Sequence, residues 1–346
     1  MIYLDSSRLQ EAIFITLTDC HVTAEAATHV ATSLVTTSLR GVDSHGVNLF
    51  PHYVRAVKSG RIKAEPDMKI VQTGPSAVKI DADHAFGHYA GSIAIRQAVK
   101  LAKQTGLAAA SVSNSTHFGA AAYFALQASR EDCIGFACTN ADALVKAYGA
   151  RKAFFGTNPI CFTVPLAGED SFCLDMATSQ VSWNKVLTYR RRKEQLPPEW
   201  AFDENGYAVE DPEKAVCLNP AGIYKGFGLG MMVDVLCALL SGGPISKDIL
   251  PMFSSPIDKR RNISHFFMAL SVSHFCDPPL FRDLMKSMVD RVRAMEPLRE
   301  DIPVMVAGDP EKHQVRMRSE SGIPVDDDKY QELLATSDRF SDVVIR

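Results

Sequence analysis

The sequence lacks any apolar run long enough to cross a bilayer, which takes about 20 apolar residues in an α-helix. Its longest apolar segment, Leu229 to Leu240, contains Asp234, so we interpret it as a buried helix. The first residues, Met1 to Asp5, include no Lys or Arg of the kind that begins a secretory leader. These absences predict a protein without a membrane partner that works in the cytoplasm.

Cysteine is present, but in no pattern that builds a metal site or a disulfide framework. The 8 cysteines are scattered and include no C-x-x-C pair. Several lie in apolar segments, where a free cysteine behaves as a small hydrophobic residue. We therefore expect reduced thiols, as in the cytoplasm, and no bound metal.

The sequence also lacks a large excess of either positive or negative charge, since the formal net charge is −3. This value gives no electrostatic reason to expect nucleic acid as a partner. The one basic cluster, Arg190 to Lys193, precedes Leu196-Pro197-Pro198, and we interpret it as a solvated loop. A hydrophobic content of 46% in 346 residues is typical of an ordinary globular protein with two subdomains.

A Rossmann fingerprint is missing as well. The glycines of Gly226-x-Gly228-x-Gly230 have the wrong spacing, and the signature needs a preceding strand and an acidic residue about twenty residues further on. We interpret these glycines as sites of close helix packing. Lys225 nevertheless precedes a glycine-rich helix start, which is a suitable place to hold phosphate oxygens.

What the sequence does contain is two histidines, each in a short segment of small and polar residues. His45 lies in the segment Arg40 to Val47, and His117 in the segment Ser113 to Gly119. Small neighbours leave each ring accessible, and an ordinary pKa of about 6.5 lets it give or take a proton at neutral pH. Both are candidate acid/base residues.

These two segments are followed by Phe155 to Pro159 and by Leu174 to Ser179. The four, in this order and at these separations, resemble the malate/L-lactate dehydrogenase family, whose members lack a Rossmann fold. The resemblance runs from about the first helix to Tyr330. It implies hydride transfer between a nicotinamide cofactor and a small 2-oxo or 2-hydroxy carboxylic acid. It also implies a homodimer with active sites at the subunit boundary.

The resemblance assigns roles to individual residues. We expect His45 to be the proton donor, and His117 to be a second acid/base or a residue that orients the substrate. Although the Rossmann motif is missing, the resemblance implies NAD(H) or NADP(H) as the cofactor. Of the two, NADH is favoured. Cofactor contacts are expected at Asn158, Asp175, Met176, Ala177, Lys225, Gly226, Ala307, Gly308 and Asp309, and substrate contacts at Asn48, Tyr53 and Lys185.

The chain departs from the family pattern where many members carry an arginine for the substrate carboxylate. Asn48 occupies that position and lacks the charge-assisted fork of a guanidinium. Arg55 or Lys185 are candidates to compensate. Another departure is Ala141, where members often have serine; a backbone contact would survive that change and a hydroxyl contact would not.

Two of the expected cofactor residues have structural alternatives. Asp175 can orient a histidine or meet an imine nitrogen, but it can also cap a helix that would begin at Met176. Asn158, before Pro159, can fix a turn and in addition donate a hydrogen bond to the cofactor.

Local patterns predict the fold class. Ser7 and Gln10 form a capping-box pattern, Thr23 can cap a second helix, and residues 68–73 and 77–82 have the pattern of a hairpin. Hairpins mixed with helices favour an α+β protein with a largely antiparallel sheet and flanking helices. We expect residues 68–274 to form this cofactor-binding domain. Residues 1–67 with about 275–346 would form a helical substrate and dimerisation domain.

Two other functions fit the same residues. One family branch reduces cyclic or N-alkyl imino acids of the Δ1-piperideine-2-carboxylate type, for which Asp175 would gain importance. A non-catalytic nucleotide-binding protein is the third reading, although it would need no acid/base pair.

Overall fold

The computed structural model describes residues 1–345, which contain ten α-helices and fourteen β-strands. The helices are α1 (Ser6–Asp19), α2 (Ala24–Leu39), α3 (Phe50–Lys58), α4 (Gly87–Thr105), α5 (Ala122–Ser129), α6 (Trp183–Arg192), α7 (Tyr224–Asp234), α8 (Pro278–Arg293), α9 (Asp309–Ser321) and α10 (Asp327–Thr336). The strands are β1 (Ile2–Leu4), β2 (Lys69–Gly74), β3 (Ala77–Asp81), β4 (Leu107–Ser115), β5 (Cys133–Thr139), β6 (Val145–Lys146), β7 (Ala153–Phe155), β8 (Ile160–Val164), β9 (Phe172–Met176), β10 (Ala201–Phe202), β11 (Ala208–Val209), β12 (Cys217–Leu218), β13 (Ile263–Ser271) and β14 (Ile323–Val325). None of the helices in this range is long and apolar enough to span a membrane.

The central sheet has seven strands in the order β2-β3-β4-β13-β5-β8-β9. Within it only β3 and β4 are parallel, so the predicted α+β class with a largely antiparallel sheet is confirmed. Helix α4 packs across β4 and β13, and α5 packs across β5 and β8. The core between them includes Val112, Phe124 and Phe267, none of which is exposed.

The two ends of the chain meet. Strand β1 pairs antiparallel with β14, and one hydrophobic core combines residues 4–86 with residues 323–343. This shared core supports the proposed helical unit formed by both termini. Helix α8 packs elsewhere, through Met285 and Val289 against Val164 and Leu166 beside the central sheet. The boundary at residue 275 therefore stays a proposal.

A second, five-stranded sheet in the order β11-β10-β12-β6-β7 was not predicted, because most of its strands have only two residues. Helix α6 covers it through Val186, which packs with Leu196 and Ala201. The basic cluster predicted to be a loop forms the last turn of α6, where positive charge is favourable. There the Arg190 guanidinium donates to the Pro212 carbonyl oxygen at 2.7 Å.

One further local prediction was wrong in detail. Helix α1 is capped by Asp5, whose carboxylate accepts the Arg8 N–H at 2.9 Å, and not by Ser7. Helix α9, which begins at Asp309, was not predicted from the sequence.

Two histidines inside the sheet domain are completely buried, and burial lowers the pKa of His88 and His265 to about 3. In the unfolded chain the same rings titrate at about 6.5. Their folded pKa is depressed, so the unfolded state binds more protons and stability is lost as the pH falls below 6.5. Each ring is expected to cost about 2 kcal/mol of unfolding free energy between pH 6.5 and pH 5.

Urea unfolding at pH 7 and pH 5 measures this loss. The matched variant is His88→Leu, because neither ring nitrogen of His88 has a hydrogen-bond partner, whereas both nitrogens of His265 do. The variant should lose about 2 kcal/mol less than the parent between the two pH values. Asp175, with a pKa raised to about 6, acts in the opposite direction but is present in both proteins. Equal losses in parent and variant would contradict the assignment.

Candidate active site

The two histidines that the sequence singles out lie side by side. His45 is on the loop after α2, and His117 is on the loop after β4. Their ring centroids are 5.6 Å apart and the rings are inclined by 24°. Both side chains are half-buried, so solvent reaches the pair, and we refer to the space beside the two rings as the cleft.

His117 is held through one ring nitrogen. The hydroxyl oxygen of Tyr53 is 2.7 Å from its Nδ1, and the Gly119 N–H also points at Nδ1, at 3.4 Å. Since a backbone N–H can only donate, this contact favours the resting tautomer with its hydrogen on Nε2. Burial raises the pKa of Tyr53, which keeps its hydroxyl protonated. Nε2 is therefore the nitrogen left for a substrate.

Both rings are neutral at pH 7. Burial lowers the pKa of His45 to about 4. Burial also brings the pKa of His117 well below 6.5, and the neighbouring His45 and Arg261 lower it further. Although solvent reaches both side chains, protein atoms surround them on most sides, which accounts for the effect on the charged form.

The His45 loop is fixed from α6. The Ser44 hydroxyl is 2.9 Å from His45 Nδ1, and the Asn184 amide donates to the Ser44 carbonyl oxygen at 3.0 Å. Sequence reasoning selected Lys185 in this segment, but its side chain is exposed, with Nζ 6.0 Å from the centroid of the Tyr189 ring. Asn184, one residue earlier, is the side chain that reaches the site.

Arg261 is the cation that the structure places beside His117, and sequence reasoning missed it. It lines a small cavity with His52, Tyr53 and His117, and only 6% of its surface is exposed. Its Nε donates to the Leu250 carbonyl oxygen at 2.7 Å, and its Nη2 forms an ion pair with Asp142. Nη1 bonds no group within residues 1–345, so it is available to an anion.

The other candidates for a substrate carboxylate are placed less well. Arg55 is exposed on the outer side of α3. Asn48 holds a buried Oδ1 that has no partner among the described residues. The only sequence signal for Arg261 was its place in the run Lys259 to Arg261, which is indistinguishable from a solvated charge cluster.

Asp175 was expected either at the cofactor or as the cap of its own helix. No helix follows it, because β9 continues to Met176; instead its carboxylate accepts the Ala122 N–H at 2.9 Å and caps α5. Burial raises its pKa to about 6, against the lowering effects of that N–H and of the Arg40 charge. The residue itself is exposed, and the protein atoms gathered around its carboxyl group account for the direction of this pKa shift.

The turn at Ala307 and Gly308 lies against the same strand. The Cys173 N–H donates to the Ala307 carbonyl oxygen at 3.3 Å, two residues before Asp175. The Asp309 carboxylate is occupied by Arg293, whose Nη2 is 2.5 Å away. Asp309 therefore holds the turn in place, and Ala307 and Gly308 supply the surface beside β9.

The segment that ends with Met176 and Ala177 leads to the start of α7. The Ala221 N–H donates to the Thr178 carbonyl oxygen at 2.9 Å, which fixes the turn before Lys225. A Cβ at Gly226 would overlap the Ala221 carbonyl group, so the close-packing interpretation holds for this glycine. Lys225 itself is exposed, and no hydrogen bond ties its ammonium group to the described residues.

The side-chain amide of Asn158 makes its hydrogen bonds within the protein. Its Nδ2 donates to the Gly230 carbonyl oxygen at 2.9 Å and to the Asp234 carboxylate at 3.3 Å. Its Oδ1 accepts the Ala141 N–H at 3.1 Å. With both amide hydrogens committed and a φ of 33°, the side chain fixes its turn. It has no hydrogen left to donate to a cofactor.

An anionic dinucleotide fits the residues around Asp175. Arg40 lies there, buried and with an Nε that has no hydrogen-bond partner, so the site offers a cation that forms no ion pair among the described residues. Within residues 1–345 no cluster of three His, Cys, Asp or Glu side chains is placed to hold a metal ion.

Comparison with known proteins gives a consistent result. The family model described as malate/L-lactate dehydrogenase matches residues 4–334. A malate dehydrogenase of Pyrococcus abyssi (strain GE5 / Orsay) is 35% identical over 319 residues, covering 89% of this chain and 87% of the relative. A ureidoglycolate dehydrogenase (NAD(+)) of Escherichia coli (strain K12) is 33% identical over 311 residues, covering 90% of this chain and 89% of the relative. The solved sulfolactate dehydrogenase of Methanocaldococcus jannaschii superposes with a TM-score of 0.91 at 29% identity, covering 99% of this chain and 98% of that one.

Proposed function

Given that the chain belongs to the malate/L-lactate dehydrogenase family and is an oxidoreductase that acts on 2-hydroxy acids, we propose that it transfers a hydride between NAD(P) and a small 2-oxo or 2-hydroxy carboxylic acid. His117 gives and takes the proton at the substrate oxygen. The observation that carries this proposal is the free Nε2 of an anchored histidine beside a buried arginine with an uncommitted N–H group.

Proton transfer follows from how His117 is held. In reduction, the anionic substrate raises the pKa of the ring, and the imidazolium gives its Nε2 proton to the developing alkoxide. Nδ1–H then donates to Tyr53, whose hydroxyl can either donate or accept. In oxidation, the neutral ring acts from its other tautomer, in which Nδ1–H donates to the Tyr53 hydroxyl and the lone pair of Nε2 takes the hydroxyl proton of the substrate. The sequence favoured His45 for this role; its ring stacks on His117 and forms one wall of the site.

Arg261 supplies the charge that Asn48 lacks. A substrate carboxylate can bind at Nη1, while the ion pair with Asp142 and the bond to Leu250 keep the guanidinium in position. Neither Arg55 nor Lys185 is needed for this contact.

A nicotinamide dinucleotide, when bound, supplies or accepts the hydride. The residues we propose to hold it are Asp175 to Ala177, Lys225 with Gly226, and the turn at Ala307 and Gly308. We favour NADH over NADPH. All eight cysteines are free thiols, which supports the proposed location in the reducing cytoplasm.

A second candidate reaction rests on Asp175. With a pKa raised to about 6, its carboxyl group is protonated in part near neutral pH and can donate to an imine nitrogen. This property favours reduction of a cyclic imino acid as the alternative to reduction of a 2-oxo acid.

The decisive experiment follows NADH and NADPH oxidation by absorbance with a panel of substrates. The 2-oxo acids are pyruvate, oxaloacetate, 2-oxoglutarate, oxalurate, sulfopyruvate and 2,3-diketogulonate, and the imino acid is Δ1-piperideine-2-carboxylate. Turnover of a 2-oxo acid is expected. Turnover of the imino acid alone would establish the second candidate, and nucleotide binding without any turnover would favour a non-catalytic binding protein.

We also propose that the protein is a homodimer that covers the outer face of α7. From Gly226 to Leu240 the only charged residue is Asp234, which is buried, yet Met231, Val235 and Leu239 are 54%, 39% and 62% exposed. These three lie four residues apart, along one side of α7 and of the π-helical turn Val235–Leu239 that continues it. An apolar stripe of this kind is typical of a covered surface, and it begins beside Lys225 in the proposed cofactor site.

Leu239→Asp is expected to convert the dimer to a monomer, because it places a charge in the covered stripe. Light scattering after size-exclusion chromatography measures the mass, and Leu298→Asp, at a fully exposed position of the loop after α8, is the control. A parent protein that is monomeric at micromolar concentration would refute the dimer.

A further inference from the structure

Arg40 is a buried arginine that has no ion-pair partner within the part of the chain that the structure describes. Only 6% of its surface is exposed, and its Nε is buried without a hydrogen-bond partner. Within residues 1–345 its guanidinium forms neither a hydrogen bond nor an ion pair. Removing a charge from water without such a partner is strongly unfavourable, so an anion from outside the chain is needed to complete this site.

Arg318 is a nearby arginine whose role is structural, and its contacts differ from those of Arg40. Arg318, on α9, binds both carboxylate oxygens of Asp43, at 2.6 Å and 3.0 Å, and donates to the Ser38 carbonyl oxygen at 2.7 Å. It thereby ties α9 to the end of α2 and to the His45 loop. Arg40 lies at the end of α2 and makes none of these contacts.

The position of Arg40 selects the kind of anion. Its charge acts on Asp175 in β9 and on Cys161 in β8, where it lowers the pKa of both side chains against the effect of burial. Arg40 does not line the cavity beside His117, whereas Arg261 does. The two arginines therefore serve different ends of the cleft. The substrate carboxylate belongs at the His117 end, which leaves the end at Asp175 for a different anionic group.

We propose that Arg40 binds a phosphate group of the dinucleotide through the paired N–H donors of its guanidinium. Planar, bidentate donation to phosphate oxygens is the contact for which arginine is best suited. The proposal rests on the proposed function in so far as the ligand is a nicotinamide dinucleotide. The phosphate can belong to the diphosphate bridge, common to NADH and NADPH, or to the ribose 2′-phosphate of NADPH alone.

The test is the variant Arg40→Met, which keeps the length of the side chain and removes its charge. We expect the dissociation constants of NADH and NADPH, measured by fluorescence titration of the full-length protein, to rise about 10- to 100-fold. Equal loss for both cofactors assigns the diphosphate, and loss for NADPH alone assigns the 2′-phosphate. Unchanged affinity for both overturns the proposal. Arg316→Met, at an exposed position of α9, is the matched control and should bind both cofactors normally.

A second readout separates ligand binding from a role in folding. Because the free protein buries an unpaired charge at Arg40, the ligand-free Arg40→Met variant should melt at the same temperature as the parent or higher. A lower melting temperature together with unchanged cofactor affinity would assign Arg40 to the fold and refute phosphate binding.

Inorganic diphosphate distinguishes failure of this proposal from failure of the proposed function. It should raise the melting temperature of the parent protein and of Arg316→Met but not that of Arg40→Met. If diphosphate acts in this way while NADH and NADPH do not bind the parent, the phosphate site stands and the nicotinamide function fails. If the cofactors bind the parent and Arg40→Met equally well, the function stands and the role of Arg40 is refuted.

Discussion

Replacing His117 with alanine is expected to lower kcat by about two to four orders of magnitude in both directions of the reaction. The substitution removes a ring that is held by Nδ1 with Nε2 free and that, unlike His45, lines the same cavity as Arg261 with its uncommitted N–H. Cofactor affinity should be almost unchanged, because the proposed dinucleotide contacts lie at the Asp175 end of the cleft. Steady-state kinetics and NADH titration measure the two effects separately.

His45→Ala is the comparison that assigns the proton. On the sequence alone His45 was expected to be the donor, and its loss was expected to have the same effect. If His45→Ala abolishes turnover while His117→Ala retains most of it, His45 is the acid/base and the argument from the tautomer of His117 is wrong. Tyr53→Phe should give a smaller loss than His117→Ala, since it removes the anchor of the ring and leaves the ring itself.

The pH profile gives an independent check on His117. Its pKa in the free protein lies well below 6.5, so the base is already unprotonated at pH 6. The kcat/KM for oxidation of the hydroxy acid should therefore show no loss from this group between pH 8 and pH 6. Reduction requires the imidazolium, so its kcat/KM should rise as the pH falls through the same range. Opposite slopes would exclude a histidine with a depressed pKa as the acid/base.

Arg261→Met is expected to lower kcat/KM by about two orders of magnitude, mainly through KM for the carboxylate substrate. The variant loses the charge-assisted contact at Nη1, whereas NADH affinity should be unaffected. The same substitution leaves Asp142 without its cation, which is expected to cost about 3 to 5 kcal/mol of stability. Stability and substrate binding must therefore be separated.

The double variant Arg261→Met with Asp142→Asn makes that separation, because it removes both charges of the ion pair. Its unfolding free energy in urea should recover most of the loss, while kcat/KM stays low. Recovery of kcat/KM together with stability would show that Arg261 acts only through the fold. Asp142→Asn alone keeps the guanidinium and should retain more activity than either variant that lacks Arg261.

The sequence by itself determined those features that depend on near neighbours along the chain. Thr23 caps α2 as its spacing indicated, and β2 and β3 form the expected hairpin, because capping and turn chemistry act within a few residues. It also placed His45 and His117 on loops lined by small residues. Their resemblance to a known family gave the reaction class, which the comparisons confirmed.

Tertiary structure decided which side chains meet and which are deprived of water. Tyr53 reaches His117 across 64 positions of the sequence, and Arg261 reaches Asp142 across 119, so neither pair leaves a local signal. Asp175 has the composition of an N-cap, yet it caps a helix that begins 53 residues earlier. The two-residue strands of the second sheet are likewise too short to show a period in the sequence. Burial depends on surfaces that distant segments of the chain form together, and only the folded chain has those surfaces. Burial in turn determines the charge state of a histidine and whether an arginine needs a partner.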